Sequence, residues 1–437
     1  MYEDRTTAGA LSTAADHPVI LSDGSPPLTR QALRNDALGL RHRVPRGATV
    51  ALVGPGSRLV AAAIVALEGW AARVELVGDL SPAVSSPDAV VLRSDEIDGV
   101  PGPPSTDDGA STRGEVDQVH TAWRLFSSGT TGLPTPTDHS LDSLTRRTRP
   151  ADNRLDRGDR ESRRWGLLYP PMRMAGIQVL LQAIHGGDSL VDAGTAELEA
   201  RLDRFVRSGV DALSATPTMW RMILRSRAGD RLPLRQITMG GEIATQSLLN
   251  ALRNRFGARI THVYASTEAG AAFSVNDAIE GFPRHYLDTP PGGVALDVRD
   301  GVLFVHAPGS STAAPDGFVS TGDLVELRGD RVYFVGRASG LVNVGGDKVS
   351  PERVEETLRQ HPAVQDAVVV PRRSSITGWV LTSEVVLAPS NDGLAPGDLR
   401  SALRAFVTEQ LSRSHAPARI TVVSELSLSS TGKASRA

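Results

Sequence analysis

Apolar and polar positions between residues 49 and 79 fall into three blocks, "TVALVGPG", "SRLVAAAIVALEGWAA" and "RVELVGD". They predict a strand, a glycine-containing turn, an alanine-rich helix and a second strand, which is a βαβ unit. Within it "GPGSRL" has the first two glycines of a dinucleotide fingerprint but Leu59 in the third place, so it reads as a plain turn and helix start. Further on, "WGLLYP", "DSLVDAG", "VDALSA", "LRQITMGG" and "RITHVYAS" are strand-like runs separated by helix-like stretches. The helical stretch "AELEARLDRFVRSGV" puts Leu198, Leu202, Phe205 and Val206 on one face, and "SLLNALRNRFG" ends at Gly257, a C-cap. Strands alternating with helices predict a largely parallel α/β sheet up to about residue 290.

From 300 to 335 the pattern becomes "GVLFVHAP" and "LVELRGDRVYFVG", a hairpin turning at Gly329-Asp330 and a small β-rich subdomain. Ser350 and Pro351 then start a helix as N-cap and first helical residue. "AVVVP", "WVLTSEVVLA", a helix over "GDLRSALRAFVTEQL" and "ARITVV" follow. These elements make a compact α+β unit. The expected fold class is therefore α/β, with a large N-terminal domain over 1–338 and a small C-terminal domain over 339–437.

With 437 residues the chain can bury a large core and divide into two or three units. A net charge of −3 supplies no field to draw in nucleic acid or an anionic membrane, so the expected partner is a small molecule. The absence of cysteine removes thiolate nucleophiles, cysteine-based zinc sites, iron–sulfur clusters and disulfides, and fits a reducing cytoplasm. The polar, acidic start "MYEDRTTAGALSTAADHP" is unlike a secretory signal. Glu68 and Arg73 break the best apolar run, leaving nothing long enough to span a bilayer. The stretch 146–164 carries dense charge of both signs and reads as a solvated face or loop.

Six motifs stand in order along the chain: "FSSGTTGLPTPTDHS" at 126, "GGE" at 240, "YASTEAG" at 264, "STGDL" at 320, "GRASGLVNVGGDKVSPERVE" at 336 and "STGKASR" at 430. In sequence and spacing they resemble the adenylate-forming superfamily: acyl- and aryl-CoA ligases, the adenylation domains of peptide synthetases, and luciferases. The resemblance covers most of the chain from about residue 16. It implies a large N-terminal domain, a small C-terminal domain that swivels about a hinge near Ser339, and chemistry that joins a carboxylic acid to AMP with release of pyrophosphate. In many relatives the acyl group then passes to a thiol.

The loop Ser127, Ser128, Gly129, Thr130, Thr131 and Gly132 can offer backbone N–H groups and four hydroxyls to phosphate oxygens, its glycines allowing close approach. The resemblance places a lysine where Thr135 stands, and Pro136 and Thr137 depart further from the family pattern. It also assigns Gly241 and Glu242 to the nucleotide site, adenine stacking to Tyr264, α-phosphate contact to Thr267 and Mg²⁺ to Glu268. Asp323 would accept from both ribose hydroxyls, and Arg337 would lie against ribose and phosphate. Lys433 would bridge the acid's carboxylate and the α-phosphate as charge builds up between them. The implied cofactors are ATP, Mg²⁺ and CoA, or the phosphopantetheine of a carrier protein.

Further positions depart from the pattern. Ser339 stands where the resemblance places an aspartate or lysine and Gly340 where it places an acid, and Ala265 replaces a glycine beside the acyl pocket. "RMAGIQVLL" after "LLYPPM" lacks the aspartate that peptide-synthetase domains use to hold an α-ammonium group, which excludes α-amino acids on desolvation grounds. There Arg173 replaces a family histidine, either to pair with an anionic group or as a surface side chain. Gly345-Gly346 and Lys348 match the loop that lines the thiol channel of thioester-forming relatives, though two glycines also make an ordinary turn. Three functions follow: a CoA ligase for an aryl or medium-sized acyl acid, a donor of acyl-AMP to a carrier protein or other nucleophile, and a nucleotide- or acyl-binding relative that has lost catalysis.

Overall fold

A computed structural model describes residues 18–22, 27–78, 86–96, 119–126, 136–146, 148, 162–266, 270–306, 316–344, 346–374, 378–388 and 396–426. The βαβ unit read from the sequence is present. Strands Thr49–Val53 and Arg73–Val77 pair in parallel, and helix Ser57–Leu67 joins them. Among the described residues they belong to a five-stranded sheet that continues through Ala122–Phe126 to the antiparallel edge strand Pro136–His139. Leu59 is buried in the core, so the turn before it serves packing.

A second sheet has eight strands among the described residues. Gln236–Gly240 lies between Ala212–Ala215 and Arg259–Ser266, parallel to both. Ala212, Leu213, Ala215, Ile237, Met239 and Ile260 of these strands are buried in the main core. Helix Leu198–Arg207 buries Leu202 and Phe205, and Leu198 and Val206 pack at the edge of the same core. Gly257 closes helix Gln246–Phe256 at φ 58°, a left-handed conformation that glycine adopts without strain. Beyond Val275 an antiparallel sheet carries the hairpin of Val319–Arg328 and Arg331–Arg337, turning at Gly329-Asp330 as its sequence predicts.

Residues after 340 build a separate core from Val349, Val354, Leu358, Val369, Leu381, Leu403 and Ile420. The Ser350 hydroxyl accepts from the Arg353 N–H and caps helix Pro351–Gln360. The fold is thus α/β with a large N-terminal domain and a smaller C-terminal one. No helix among the described residues is long and apolar enough to cross a membrane.

Candidate active site

Asp323 lies where the second sheet meets the antiparallel hairpin. Hairpin register puts Arg337 directly across from it, since the two are cross-strand partners. The Arg337 Nε donates to Asp323 Oδ1 at 2.8 Å, and a second guanidinium N–H reaches the Thr321 carbonyl at 3.3 Å. From the end of strand Arg259–Ser266, the Tyr264 hydroxyl donates to Asp323 Oδ2 at 2.5 Å. Each carboxylate oxygen carries two lone pairs, so Asp323 keeps room for one further bond at each. That remaining capacity fits a vicinal diol such as the ribose of a nucleotide.

The Tyr264 ring is near-parallel to those of Phe273, 5.1 Å away and tilted 15°, and Phe334, 5.3 Å away and tilted 6°. These neighbours fix its orientation, and its polar contribution is the hydroxyl on Asp323. Burial, and then the adjacent Asp323 charge, push that hydroxyl well above the usual phenol range, so it stays a protonated donor.

Gly241 has φ 82°, and a Cβ on Gly240 would stand 2.8 Å from the Val263 carbonyl, so both glycines are required by the backbone. The Glu242 carboxylate accepts from the Thr218 N–H at 2.8 Å, at the N-terminus of helix Pro217–Arg225, where a negative charge is favoured. The structure thus shows Glu242 fixing the turn beside the helix. The other predicted positions, Ser127, Ser128, Gly129, Thr130, Thr131, Gly132, Thr135, Thr267, Glu268 and Lys433, lie outside the described residues, as does Gly345.

Two features escaped the sequence reading. Arg173, at the N-cap of helix Met174–His185, donates to the Phe126 carbonyl at 3.0 Å, the residue that leads into the serine-rich loop. One turn below Glu242 on helix Pro217–Arg225, a charge network crosses to the C-terminal domain. Asp366, almost fully buried, accepts from Arg225 at 2.9 Å and from Arg359 at 2.9 Å. Against the upward push of burial, Arg359, Arg221 and Arg225 hold its carboxyl below the usual range. Burial, and then the neighbouring Arg359, push Arg221 down to about 10, while Asp366 and Glu242 oppose the shift. Arg221 thereby stands between Glu242 and the C-terminal residues Arg359, Asp366 and Glu356. A short hydrophobic-looking helix, "PTMWRMILR", gave no sign of this beyond its two arginines.

Comparison with known proteins then adds an independent line. A family model described as AMP-binding enzyme matches residues 62–301, and one described as AMP-binding enzyme C-terminal domain matches residues 353–433. The 4-hydroxybenzoate–CoA/benzoate–CoA ligase of Rhodopseudomonas palustris is 28% identical over 401 residues, covering 82% of this chain and 69% of that protein. The mitochondrial acyl-coenzyme A synthetase ACSM1 of Mus musculus is 24% identical over 71% of this chain, which spans 60% of that enzyme's length. A probable 2-succinylbenzoate–CoA ligase of Mycobacterium tuberculosis is 29% identical over 75% of this chain and 86% of that protein. Among solved structures, the anthranilate CoA ligase AuaEII with anthranoyl-AMP superposes with a TM-score of 0.74 at 18% identity, covering 98% of this chain and 95% of that one. The amide bond synthetase McbA of Marinactinospora thermotolerans gives 0.71 at 19% identity, covering 98% and 97%. At such identities the superpositions establish the fold.

Proposed function

The chain belongs to the family of AMP-binding enzymes, and from that premise we propose that it uses ATP to convert a carboxylic acid to an acyl-AMP and then transfers the acyl group to the thiol of CoA. In the first step a carboxylate oxygen bonds to the α-phosphorus and pyrophosphate leaves; in the second the thiol sulfur bonds to the acyl carbon and AMP leaves. The observation that carries the reading is Asp323, held by Tyr264 and Arg337 with one acceptor site left on each oxygen. Asp323 and Arg337 would hold the ribose. Ser127 to Gly132 would cradle the phosphates, Thr267 would meet the α-phosphate, and Lys433 would neutralise the charge that grows during attack. Mg²⁺, taken by Glu268, would neutralise phosphate charge.

The acid is an aryl or medium-sized acyl acid. Helix Met174–His185, which follows the "LLYPPM" segment, has no acid in its first turn and buries Ile177, Leu180 and Leu181, leaving an α-ammonium group no counter-charge there. The relatives that act on benzoates and 2-succinylbenzoate support the same class. For the second step the C-terminal domain would swivel about Ser339 and bring the segment with Gly345, Gly346 and Lys348 to the site.

Acid-dependent exchange of labelled pyrophosphate into ATP, run over a panel of benzoates and C4–C10 acids, tests the first step and names the substrate. No exchange with any acid, at saturating ATP and Mg²⁺, refutes the adenylation reading. Acyl-AMP that CoA fails to discharge while a carrier protein or an amine does so would replace CoA as the acceptor and leave adenylation standing.

A further inference from the structure

Glu356, on helix Pro351–Gln360 of the C-terminal domain, faces Arg221 and Glu280 of the N-terminal domain across the seam between them. Its Oε2 is buried and accepts no hydrogen bond among the described residues. The ion pair it makes with Arg359 is long, at 3.8 Å, while that guanidinium donates to Asp366 at 2.9 Å and to the Ala367 carbonyl at 2.6 Å. Arg221 has no hydrogen bond or ion pair among the described residues, so it acts on Glu356 only as a charge at a distance.

The acids around Glu356 are fixed in place. Glu280 accepts from the Gln246 N–H at 2.9 Å, and Arg331 holds its carbonyl at 2.9 Å. Glu355, on the same helix, accepts from the Val369 N–H at 2.9 Å. One turn back stand Arg353 and Glu352, the latter accepting from the Ser350 hydroxyl at 2.9 Å. The carboxylates of Glu242, Glu280, Glu355 and Asp366 already outnumber the guanidiniums of Arg221, Arg225 and Arg359 before Glu356 is added. An ionised oxygen buried without a donor is costly, and taking up a proton relieves the cost. Burial accordingly pushes the Glu356 carboxyl above the usual glutamate range; Arg359 and Arg221 oppose the shift, and Glu280 and Glu355 add to it. Arg221 and Glu280 belong to the other domain, so a swivel removes Glu356 from both and opens it to water.

We propose that this seam is a proton-linked catch: Glu356 takes up a proton when the C-terminal domain sits in the orientation seen here and releases it when the domain swivels away. The proposal rests on the swivel in the function reading above. With its proton affinity raised at the seam, Glu356 favours this orientation fully below its ordinary value, and the preference fades as pH rises through the higher seam value. Asp366, held below the usual range, stays charged over the same window and keeps Arg225 and Arg359 engaged. Acidification therefore holds the domain and alkalinisation frees it.

The chain has no cysteine, so a dye pair can be placed on Ala251→Cys and Ser401→Cys, both exposed and one in each domain. Energy transfer in single molecules then reads the ratio of the two orientations without any substrate. From pH 5 to pH 7.5 the ratio in favour of this orientation should fall about threefold or more, within the limit of about tenfold per pH unit for one proton. Glu356→Gln, which keeps the shape and cannot ionise, should hold the low-pH ratio at every pH. Glu280→Gln removes a repelling charge, so the fall should move to lower pH. A pH-independent ratio in the labelled parent overturns the proposal, as does a Glu356→Gln profile as steep as the parent's or a Glu280→Gln profile that coincides with it. The measurement needs neither ATP nor acid. Absence of pyrophosphate exchange with every acid would end the function reading, and the dyes would still decide the proton link.

Discussion

Replacing Asp366 with asparagine keeps the shape of the side chain and removes the charge on which the interdomain network depends. In the parent that carboxylate is almost wholly buried and accepts from Arg359 and Arg225, each at 2.9 Å. Breaking a buried pair by neutralising one partner costs about 3–5 kcal/mol, because the remaining charge is left without compensation. Two details move the figure to the low end. Arg225 is 23% exposed, so water takes over part of its solvation. Arg359 keeps Glu355 at 3.6 Å and Glu356 at 3.8 Å. We therefore expect Asp366→Asn to lose about 3 kcal/mol, roughly two orders of magnitude in the folded-to-unfolded ratio. Urea titration followed by far-UV circular dichroism, with Trp379 as a C-terminal reporter, measures it. The pH dependence separates charge from packing. The Asp366 carboxyl is held below its ordinary value in the folded state, so its contribution is complete above the unfolded value and fades as pH falls through the lower folded one. Parent and variant should differ by a constant amount from pH 7 to about 4.5 and converge at more acid pH. An Asn variant within about 0.5 kcal/mol of the parent at pH 7 would refute the reasoning.

Tyr264→Phe keeps the ring beside Phe273 and Phe334 and removes one donor from Asp323; a stability loss of about 1.5 kcal/mol by thermal unfolding is expected, and an unchanged midpoint would remove the bond from the account. Lys433→Ala should cut acid-dependent pyrophosphate exchange by about 10²–10³-fold while ATP affinity by calorimetry changes little, as for a contact made mainly in the transition state. Comparable exchange in parent and variant would end that assignment. Thr135→Lys restores the charge that the loop lacks and should tighten ATP by roughly 1.5–3 kcal/mol; weaker binding would mean the loop serves another purpose.

Local pattern carried the fold far. Helix Leu198–Arg207 follows from the spacing of its apolar residues, and the caps at Gly257 and Ser350 from residue types whose backbone preferences act within a few positions. The hairpin turning at Gly329-Asp330 was legible too, because its turn is short; the pairing of Arg337 with Asp323 across it was not drawn from the sequence. What stayed hidden depends on contacts between segments far apart in sequence. Phe273 and Phe334 reach Tyr264 from a neighbouring strand and from another sheet, so the aromatic cluster around it could not be read from the motif. Arg225 and Asp366 are 141 residues apart, and nothing around either marks a partner. Glu242 is tied to a helix end by a bond to the backbone of Thr218, and backbone groups leave no trace in residue identity.

The bond from Arg173 to the Phe126 carbonyl ties the start of helix Met174–His185 to the strand from which the serine-rich loop departs. In the proposed enzyme that helix borders the acid and that loop holds the nucleotide, so the two substrates share a mechanical element. Ordering one end of the tether lowers the entropy still to be lost at the other, which is positive linkage. By reciprocity the factor by which the acid sharpens ATP binding equals the factor by which ATP sharpens acid binding. For the proposed enzyme the expected outcome is cooperative binding of the two substrates, which acid titrations with and without ATP would measure.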